Sequence, residues 1–430
     1  LPTISESTID SPADIVPSLE GEDIAPVVEE VQALRNLVTV TTDVLVVKID
    51  TLGGDIVSVA LPKYPEQLET PDVPFVLVDP RNSYVAQSGL IGPSGTDKRG
   101  FRPTFTTDSN SYEIGDASEL SVTLTTVQQD GSRILKTYQF TRGEYLIGVD
   151  YQITNLGSEP WKGGLFAQIK RDGQSPLSSS ENVMGMQPYV GGATRSDEEL
   201  YRKLEFDDIE EDSYKLTLDD GYIAMVQHYF VSAWVPREVI RNTYRGRKLK
   251  DQDIYLFGLT TPPVTIAPGE TGTIGASFYA GPKDQYKLEE IATGLELTTD
   301  YGFLWWLAQP LFFMLTAIHS YVGNWGLAII GLTIIVKSLL YPLSAASFRS
   351  MAKMRKLQPE MVRLKERFGD DRQQFSQAMM ELYKKEGANP LGGCFPILLQ
   401  MPVFLALYWT LMESVELRQA PFFLWIYDLS

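Results

Sequence analysis

The chain has 430 residues, of which 37 are basic and 55 acidic, so its formal net charge is −18. A hydrophobic content of 43% excludes an intrinsically disordered protein, and a single cysteine excludes a disulfide framework or a multi-cysteine zinc site. The two histidines leave little material for metal or triad chemistry, and the acidic total disfavours general nucleic-acid binding.

Charge is distributed unevenly along the chain. Residues 1–300 carry 46 acidic and 25 basic residues, whereas residues 301–342 contain one charge, Lys337. Residues 343–390 carry ten basic and six acidic residues. This order predicts an acidic soluble domain, a membrane crossing, a basic loop and a second crossing.

The soluble part begins with a tether. Residues 1–34 are rich in proline, serine, glutamate and aspartate, a composition typical of a flexible, acidic linker. Residues 35–298 contain β-branched and aromatic runs separated by turn signals such as Asp130-Gly131 and Pro268-Gly269, which predicts a large antiparallel β-sandwich. The predicted strand runs are NLVTVTTDVLVVKID, ELSVTLTTVQQ, RILKTYQF, YLIGVDYQIT, Tyr222–Val235, Ile254–Leu259 and Thr271–Ala280.

An aromatic-rich β-sandwich can bind carbohydrate. One function that the sequence leaves open is therefore that of a membrane-anchored, periplasmic carbohydrate-binding receptor. Sugar-converting enzymes need a general acid and a general base placed together. His228 is the only histidine of this domain, and it lies in the strand-like run AMVQHYFVSAW, where we expect a structural role. No catalytic residue and no metal ligand are therefore assigned.

Residues 299–322 are predicted to form an amphipathic helix that lies along the outer surface of the membrane. The stretch is dense in aromatic residues, which favour the membrane interface, and Pro310 is expected to interrupt it. The alternative is a separate spanning helix. We prefer the interfacial helix, because a further crossing would move the basic loop to the side that its charge disfavours.

Two apolar segments are long enough to cross a bilayer as helices. Tyr321–Leu343 carries one charge and predicts a span at residues 323–343. Phe395–Val415 carries no charge before Glu413 and predicts a span at residues 390–415.

Short loops rich in lysine and arginine stay in the cytoplasm, which places residues 1–300 on the periplasmic side. Residues 416–430 then form an interfacial segment on that same side. An exported domain needs a signal or an anchor helix, so we expect one before Leu1 and further spans after Ser430.

Residues 344–389 are predicted to form a cytoplasmic helical hairpin. A first apolar seam has helical spacing, Gly369 ends that helix, and Asp371 with Gln374 resembles a capping box that opens the second helix. Pro359 is expected to kink the first helix. The first seam contains Met351, Met354, Leu357, Met361, Leu364 and Phe368, and the second contains Phe375, Met379 and Leu382.

The basic residues of this hairpin fall largely off the seams, and two interpretations stay open for them. They attract anionic lipid, or they dock ribosomal RNA or a targeting factor. The methionines offer an adaptable contact surface for apolar substrates. The residues assigned to cytoplasmic contacts are Met351, Met354, Arg355, Lys356, Arg363 and Lys365.

Lys337 is the candidate functional centre, because a lysine inside a span costs about 2.5–3.5 kcal/mol on insertion scales. Thr333, Lys337 and Tyr341 are spaced i, i+4 and i+8, which predicts that they share one face of a helix, and Ser344 extends the stripe toward the cytoplasm. One interpretation is a lysine that snorkels to the cytoplasmic headgroups. The other is a water-filled groove that receives polar segments of a substrate.

The stretch KMRKLQPEMVRLKERFGDDRQQFSQAMMELYKKEGANPLGGCFPILLQMPVFLALYWTLMESVELRQAPFFLWIYDLS closely resembles the YidC family of bacterial membrane protein insertases. The run DYGFLWWLAQPLFFMLTAIHSYVGNWG is similar to the segment that leads into the family's membrane core. The resemblance is specific from about Asp300 to Ser430 and looser from about Asn36.

This resemblance implies a supersandwich-like periplasmic domain, an interfacial helix, a cytoplasmic hairpin and a core of five spans in the bacterial inner membrane. It implies insertion and folding of nascent membrane proteins, alone or beside the Sec translocon, with no cofactor. Family members often carry an arginine in the hydrophilic groove, within a run resembling V-R-G-x-x-Y-P. The matching run here is Val336-Lys337-Ser338-Leu339-Leu340-Tyr341-Pro342, which keeps the charge but loses the guanidinium fork.

Overall fold

The computed structural model describes residues 16–17, 36–174, 188–250, 252–368, 371–386 and 390–429. The chain divides into two compact units, Leu1–Thr299 and Asp300–Ser430. Except for Val16 and Pro17, the residues of the predicted tether lie outside the described residues.

Two β-sheets build the first unit. Within its described residues there are nineteen strands and two short α-helices, α1 at Phe206–Glu211 and α2 at Gln285–Ile291. The strands are β1 Leu37–Thr41, β2 Val46–Asp50, β3 Asp55–Pro65, β4 Pro74–Val78, β5 Val85–Ile91, β6 Ser111–Glu113, β7 Glu119–Val127, β8 Arg133–Thr141, β9 Leu146–Thr154, β10 Trp161–Asp172, β11 Gly191–Thr194, β12 Arg202–Leu204, β13 Tyr214–Leu218, β14 Ile223–Gln227, β15 Phe230–Pro236, β16 Asn242–Lys248, β17 Ile254–Thr260, β18 Val264–Ile266 and β19 Thr271–Pro282.

The larger sheet has eleven strands in the order β13-β16-β17-β10-β5-β3-β2-β1-β6, with β18 and β4 pairing with β10 and β3 beside this path. The smaller sheet has eight strands in the order β12-β11-β14-β15-β19-β9-β8-β7. Pairing is antiparallel except between β1 and β6. Side chains of the two sheets meet in the interior, where the Ser88 hydroxyl lies 3.0 Å from the Tyr151 hydroxyl. This architecture confirms the predicted antiparallel β-sandwich.

Alternating side chains explain why these segments form strands. In β8, Ile134, Lys136, Tyr138 and Phe140 are buried and point to the interior, while the residues between them are half-buried or exposed. The turns follow the glycine signals, since Gly131 closes the β7–β8 connection with a φ of 86°. A positive φ is readily adopted by glycine, because it has no Cβ.

One strand prediction is wrong in its connectivity. The run Tyr222–Val235 is a hairpin of β14 and β15 rather than a single strand, and His228 with Tyr229 forms its two-residue turn. Tyr229 adopts a φ of 68°, a left-handed conformation that non-glycine residues adopt infrequently. The pair Gln227–Phe230 closes the turn without the Asn-Gly signal usual for such hairpins. His228 is therefore a half-buried turn residue.

Five α-helices build the second unit within its described residues: α3 Trp305–Val322, α4 Trp325–Leu339, α5 Tyr341–Phe368, α6 Arg372–Glu386 and α7 Pro390–Glu413. The helix α3 continues through Pro310, so the expected interruption is absent there. Gly323 ends α3 with a φ of 65°, and its N–H donates to the His319 carbonyl at 2.8 Å. Asn324 caps α4, because its side chain accepts from the Leu327 N–H at 3.0 Å.

The predicted span Tyr321–Leu343 is not one continuous helix, and its crossing of the membrane stays a prediction. The chain bends by 62° between α4 and α5. Pro342 explains the bend, because it has no N–H for the Ser338 carbonyl and its ring crowds that carbonyl. The backbone bonds from Leu340 to Val336 and from Ser344 to Leu340 are kept at 3.0 Å. The kink expected at Pro359 is not a break, since α5 runs through that residue.

The core of this unit lies between α3, α4 and α7. Its buried residues are Tyr301, Leu304, Ala308, Leu311, Leu315, Ala328, Leu332 and Ala406. Many large apolar side chains remain exposed on the same helices, including Trp306, Ile334 and Leu339. Such a surface is typical of a protein that meets lipid.

Three segments of this unit are apolar enough to be candidates for insertion into a bilayer. Within the described residues, Gly302–Val322 is the one helix that is long and apolar enough to cross by itself. The bent pair Trp325–Leu339 and Tyr341–Phe368 passes the same test when taken together, and Leu398–Glu413 is a shorter apolar helix. The prediction that residues 299–322 lie along the interface therefore stays a prediction.

Candidate functional site

Lys337 lies in the last turn of α4, just before the bend. Its Nζ atom lies 4.6 Å from the ring centroid of Phe404 on α7, which is a cation–π contact. A cation in the last turn also interacts favourably with the negative end of the helix dipole. The side chain is otherwise exposed, and within the described part of the chain it forms no ion pair.

Gln400 and Phe404 of α7 complete this site, and neither was predicted from the sequence. The Nε2 atom of Gln400 donates to the Ser344 hydroxyl at 2.8 Å, one helical turn away from Phe404. Gln400 is a polar residue inside the apolar run FPILLQMPVFLALYW, and a polar side chain at such a position is itself a signal of function. The bend therefore brings Lys337 of α4 and Ser344 of α5 against one face of α7.

The predicted stripe is only partly assembled. Thr333 lies one turn before Lys337, but its hydroxyl donates to the Ile329 carbonyl at 2.8 Å and is used by the helix itself. Tyr341 is 69% exposed and begins α5 beyond the bend, so the i, i+8 relation to Thr333 on one straight helix does not hold. Lys337 and Ser344 both reach α7.

Chemically, the site offers a cation, an amide and an aromatic ring beside an apolar surface. Such groups bind carboxylates and backbone carbonyls through charge and hydrogen bonds. Among residues that the structure describes, no group of three or more histidine, cysteine, aspartate or glutamate side chains could hold a metal ion. The arrangement is therefore suited to binding carboxylates and backbone carbonyls.

The hairpin residues assigned to cytoplasmic contacts separate into two classes. Met351 and Met354 lie half-buried on the seam of α5. The four basic residues are exposed, away from the seam, and are Arg355, Lys356, Arg363 and Lys365. They are accessible to an anionic partner.

The packing of α5 on α6 follows the predicted seams. Leu357 is buried, and the Tyr383 hydroxyl points at the sulfur atoms of Met361 and Met379 at 3.8 and 3.5 Å. The Asp371 half of the predicted capping box is present, because its carboxylate accepts from the N–H groups of Gln373 and Gln374, whereas the Asp371 N–H donates to the Phe368 carbonyl. The hairpin is held by a narrow, sulfur-rich contact.

Two family models together cover nearly the whole chain. The model of the YidC periplasmic domain matches residues 37–314, and the model of the 60Kd inner membrane protein matches residues 317–430. The chain belongs to the YidC family of membrane protein insertases. The sandwich is therefore a periplasmic domain, and the helical unit is part of an inner membrane protein.

Curated YidC relatives agree with this assignment over almost the full chain. The membrane protein insertase YidC of Cellvibrio japonicus is 54% identical over 423 residues, which cover 98% of this chain and 76% of that protein. The membrane protein insertase YidC of Pseudomonas fluorescens is 51% identical over 419 residues, which cover 96% of this chain and 74% of that protein. The aligned region thus spans about three quarters of these relatives.

Solved structures give weaker matches. An active YidC insertase crystal structure with the first transmembrane domain resolved is 15% identical, with a TM-score of 0.33, and the match covers 93% of this chain and 79% of that one. A galactose mutarotase related enzyme from Lactobacillus acidophilus is 11% identical, with a TM-score of 0.39, over 57% of this chain and 97% of that one. Assignment to YidC rests on the sequence matches.

Proposed function

We propose that this chain inserts and folds helices of other integral membrane proteins. The observation that carries the proposal is the Lys337 site, a lone cation in residues 301–342 whose contact within the described residues is an aromatic ring. A polar or acidic segment of a nascent membrane protein would bind at Lys337 while it crosses the membrane. Binding there shortens the stretch of apolar membrane that the segment must cross in one step.

The groove that we propose contains Lys337, Thr333 and Tyr341 together with Ser344 and Gln400. Lys337 attracts carboxylates, while Gln400 and Ser344 hydrogen-bond to substrate backbone. Tyr341 is exposed beyond the bend and would contact the segment at the cytoplasmic mouth. Thr333 shapes the wall, since its hydroxyl already serves the helix backbone.

The proposed topology is that of a multi-pass protein. Residues 323–343 and 390–415 cross the inner membrane, and residues 299–322 and 416–430 lie at its periplasmic surface. The hairpin at residues 344–389 lies in the cytoplasm, as the excess of basic residues there favours. The sulfur-rich seam supports a hairpin that moves relative to the spans.

We further propose partners for the hairpin and for the whole chain. The exposed cations Arg355, Lys356, Arg363 and Lys365 suit ribosomal RNA, a targeting factor or anionic lipid, because each presents clustered negative charge. Met351 and Met354 would contact apolar substrate segments as they arrive. Components of the Sec translocon are further proposed partners.

The test is depletion of the full-length protein in cells, followed by a protease-protection assay of newly made membrane proteins. We expect substrates with acidic translocated segments to accumulate uninserted, and plasmid-borne wild type or Lys337→Arg to restore them. Lys337→Glu, at matched expression, should not. Normal insertion in depleted cells would refute the proposal.

The carbohydrate-receptor alternative is not favoured, because relatives aligned over 96–98% of this chain are named insertases. Titration of the protein with glycans discriminates between the two functions. Saturable glycan binding together with unimpaired insertion on depletion would favour the receptor.

A further inference from the structure

Residues 419–428, which follow α7, form a closed loop. The Gln419 N–H donates to the Asp428 carboxylate at 3.1 Å, which closes the base of the loop. Near the tip, the Phe422 N–H donates to the Ile426 carbonyl at 3.0 Å. These hydrogen bonds give the segment, which we call the aromatic loop, a defined turn.

The aromatic loop is seated on the first turn of α4. The Nδ2 atom of Asn324 donates to the carbonyls of Pro421 and Phe422, at 3.4 Å each. The Phe422 ring fills the space that a Cβ at Gly326 would occupy, so this close approach requires glycine. The loop therefore lies at the N-terminal end of α4.

The tip of the aromatic loop presents a contiguous run of exposed apolar side chains. Leu424 and Trp425 are each 77% exposed. Residues 420–427 contain no charged side chain. An exposed apolar group of this kind marks a contact surface rather than an ordinary water-facing turn. The exposed side chains of the tip are those of Phe423, Leu424, Trp425, Ile426 and Tyr427.

The backbone holds these side chains away from the protein. Leu424 has a φ of 57°, a left-handed conformation that residues with a Cβ adopt infrequently. Such strain persists where the surrounding structure enforces it, and it is concentrated at functional positions. The hydrogen bonds at the base of the loop and at Asn324 provide that enforcement here. The tip is therefore displayed as a rigid apolar projection.

The side of α4 below the aromatic loop is also apolar and exposed. Ile330 and Ile334 lie at i+4 and i+8 from Gly326, so they continue the side of the helix on which Phe422 is seated. Both isoleucines are exposed. Where α4 crosses a membrane, this stripe faces acyl chains, and the loop lies at its end.

The composition of the tip favours lipid as the occupant of this surface. Tryptophan and tyrosine combine an apolar ring with one N–H or O–H group, and they are enriched where head groups meet acyl chains. The tip contains both, as Trp425 and Tyr427, beside the apolar Leu424. Lipid continues from the stripe of α4 to this level without a change of partner.

We propose that the aromatic loop is a membrane anchor whose tip, Leu424 and Trp425, inserts at the boundary between head groups and acyl chains. The anchor rests on the proposed topology, in which α4 crosses the membrane. Because the loop is seated on the first turn of α4, it fixes the depth of that helix. Lys337 is twelve positions after Trp325, and is thereby held about 18 Å along the helix from the anchored end.

Fluorescence quenching in lipid vesicles tests the anchor in the full-length protein. A bimane label is attached to Leu424→Cys or, as the control, to Val239→Cys, an equally exposed position of the sandwich, both in a Cys394→Ser background. Vesicles of phosphatidylcholine and phosphatidylglycerol contain brominated acyl chains. We expect bromine to quench the label at residue 424 at least threefold more strongly than the label at 239, and iodide in the buffer to show the opposite order.

Three results would overturn the anchor. The first is equal quenching of the two labels by iodide, which places the tip in water. The second is bromine quenching that changes with the protein-to-lipid ratio, which makes a second copy the occupant. The third is protection from iodide that appears only when a nascent substrate is added, which makes the substrate the occupant.

A glycine pair tests the seat. Gly326→Ala should displace Phe422 and lower bromine quenching at residue 424 at least twofold. Gly331→Ala is the matched control in α4, because a Cβ there meets only the side chain of Ile318, at 3.3 Å. Unchanged quenching in Gly326→Ala would refute the seat. Since quenching requires no substrate, a water-exposed tip refutes the anchor alone, whereas normal insertion in depleted cells refutes the insertase function alone.

Discussion

The two units place a lysine in opposite surroundings. In the sandwich, Lys136 is fully buried, and its Nζ atom donates to the carbonyls of Gly53, Gly54 and Ser88 at 3.1, 2.7 and 3.2 Å. In the helical unit, Lys337 is exposed and contacts an aromatic ring. The amino group of Lys136 is saturated by its own protein, whereas that of Lys337 keeps its hydrogen-bonding capacity for a partner.

The reason for the buried charges is visible in the sheet. Strands β3 and β5 share a single pair, Ile56 with Ala86, and then separate. Lys136 and Arg102 fill this opening. Both donate to the Ser88 carbonyl, which is not used in strand pairing there. Arg102 also pairs with Asp55 and Asp97. These charges are therefore structural. Lys337, whose hydrogen-bonding groups are not used by its own protein within the described residues, is the better candidate for a functional residue.

The largest expected effect follows from removal of Arg102. Arg102→Met leaves the Asp55 and Asp97 carboxylates buried without their partner, which should cost about 3–5 kcal/mol of unfolding free energy. Arg237→Met is the matched control, because its pair with Asp150 at 2.7 Å is partly exposed and should be worth about 0–1 kcal/mol. Denaturant unfolding followed by tryptophan fluorescence measures both. Equal losses would contradict the comparison.

A second expectation concerns pH. Burial lowers the pKa of Lys136 to about 7, so between pH 7 and 9 the unfolded chain binds more protons than the folded one, and stability rises with pH. Asp55, Asp97, Arg102, Tyr138 and Tyr151 surround the lysine.

Lys136→Met should remove about 1–2 kcal/mol of the rise in stability between pH 7 and 9. The burial that raises the pKa of Asp97 acts in the opposite direction, and that carboxyl is kept in both proteins. Melting midpoints at pH 7, 8 and 9 measure the difference. Parallel pH profiles of the two proteins would show that Lys136 does not titrate in this window.

A third expectation concerns Lys337. Lys337→Glu should reduce insertion of substrates with acidic translocated segments at least tenfold, which corresponds to about 1.4 kcal/mol, because it replaces attraction by repulsion. The melting midpoint should fall only slightly, because the exposed side chain loses no more than its cation–π contact with Phe404, about 0.5–1 kcal/mol. Lys337→Arg is the control that keeps the charge. An unfolded Lys337→Glu protein would make the lysine structural, like Lys136.

The smallest expected effect follows from replacement of Phe404, whose ring contacts Lys337. Phe404→Leu removes the cation–π contact of Lys337 but keeps an apolar side chain, so stability should fall by about 0.5–1 kcal/mol. Insertion should persist with a modest loss of rate. Because Leu399 is exposed on the same helix, Leu399→Ala serves as a comparison. A loss of insertion as large as that of Lys337→Glu would make the ring part of the substrate site.

Local signals predicted local structure well. Alternation and glycine turns identified β7, β8 and β9, and the caps at Asp371 and the seams of the hairpin followed from spacing alone. Family residues then led to the insertase assignment. What the sequence could not predict depends on distant partners.

Three features show this dependence on distant partners. The His228-Tyr229 turn carries no glycine and is imposed by pairing of β14 with β15. The charged cluster joins residues about 30 to 80 positions apart, such as Gly54 and Lys136. The contact of Gln400 with Ser344 requires the bend at Pro342, which lies inside the predicted span Tyr321–Leu343.

The bend has a mechanical consequence. The helix α5 contains 28 residues and is about 42 Å long, so it is a lever whose pivot lies at Leu340. A rotation of about 10° at the pivot moves the far end, Phe368, by about 7 Å, while Tyr341 hardly moves. A substrate chain that occupies the Lys337 site and displaces Ser344 from Gln400 would rotate α5 at this pivot. The tip of the hairpin would then move far enough to be measured as a change in distance between two labels.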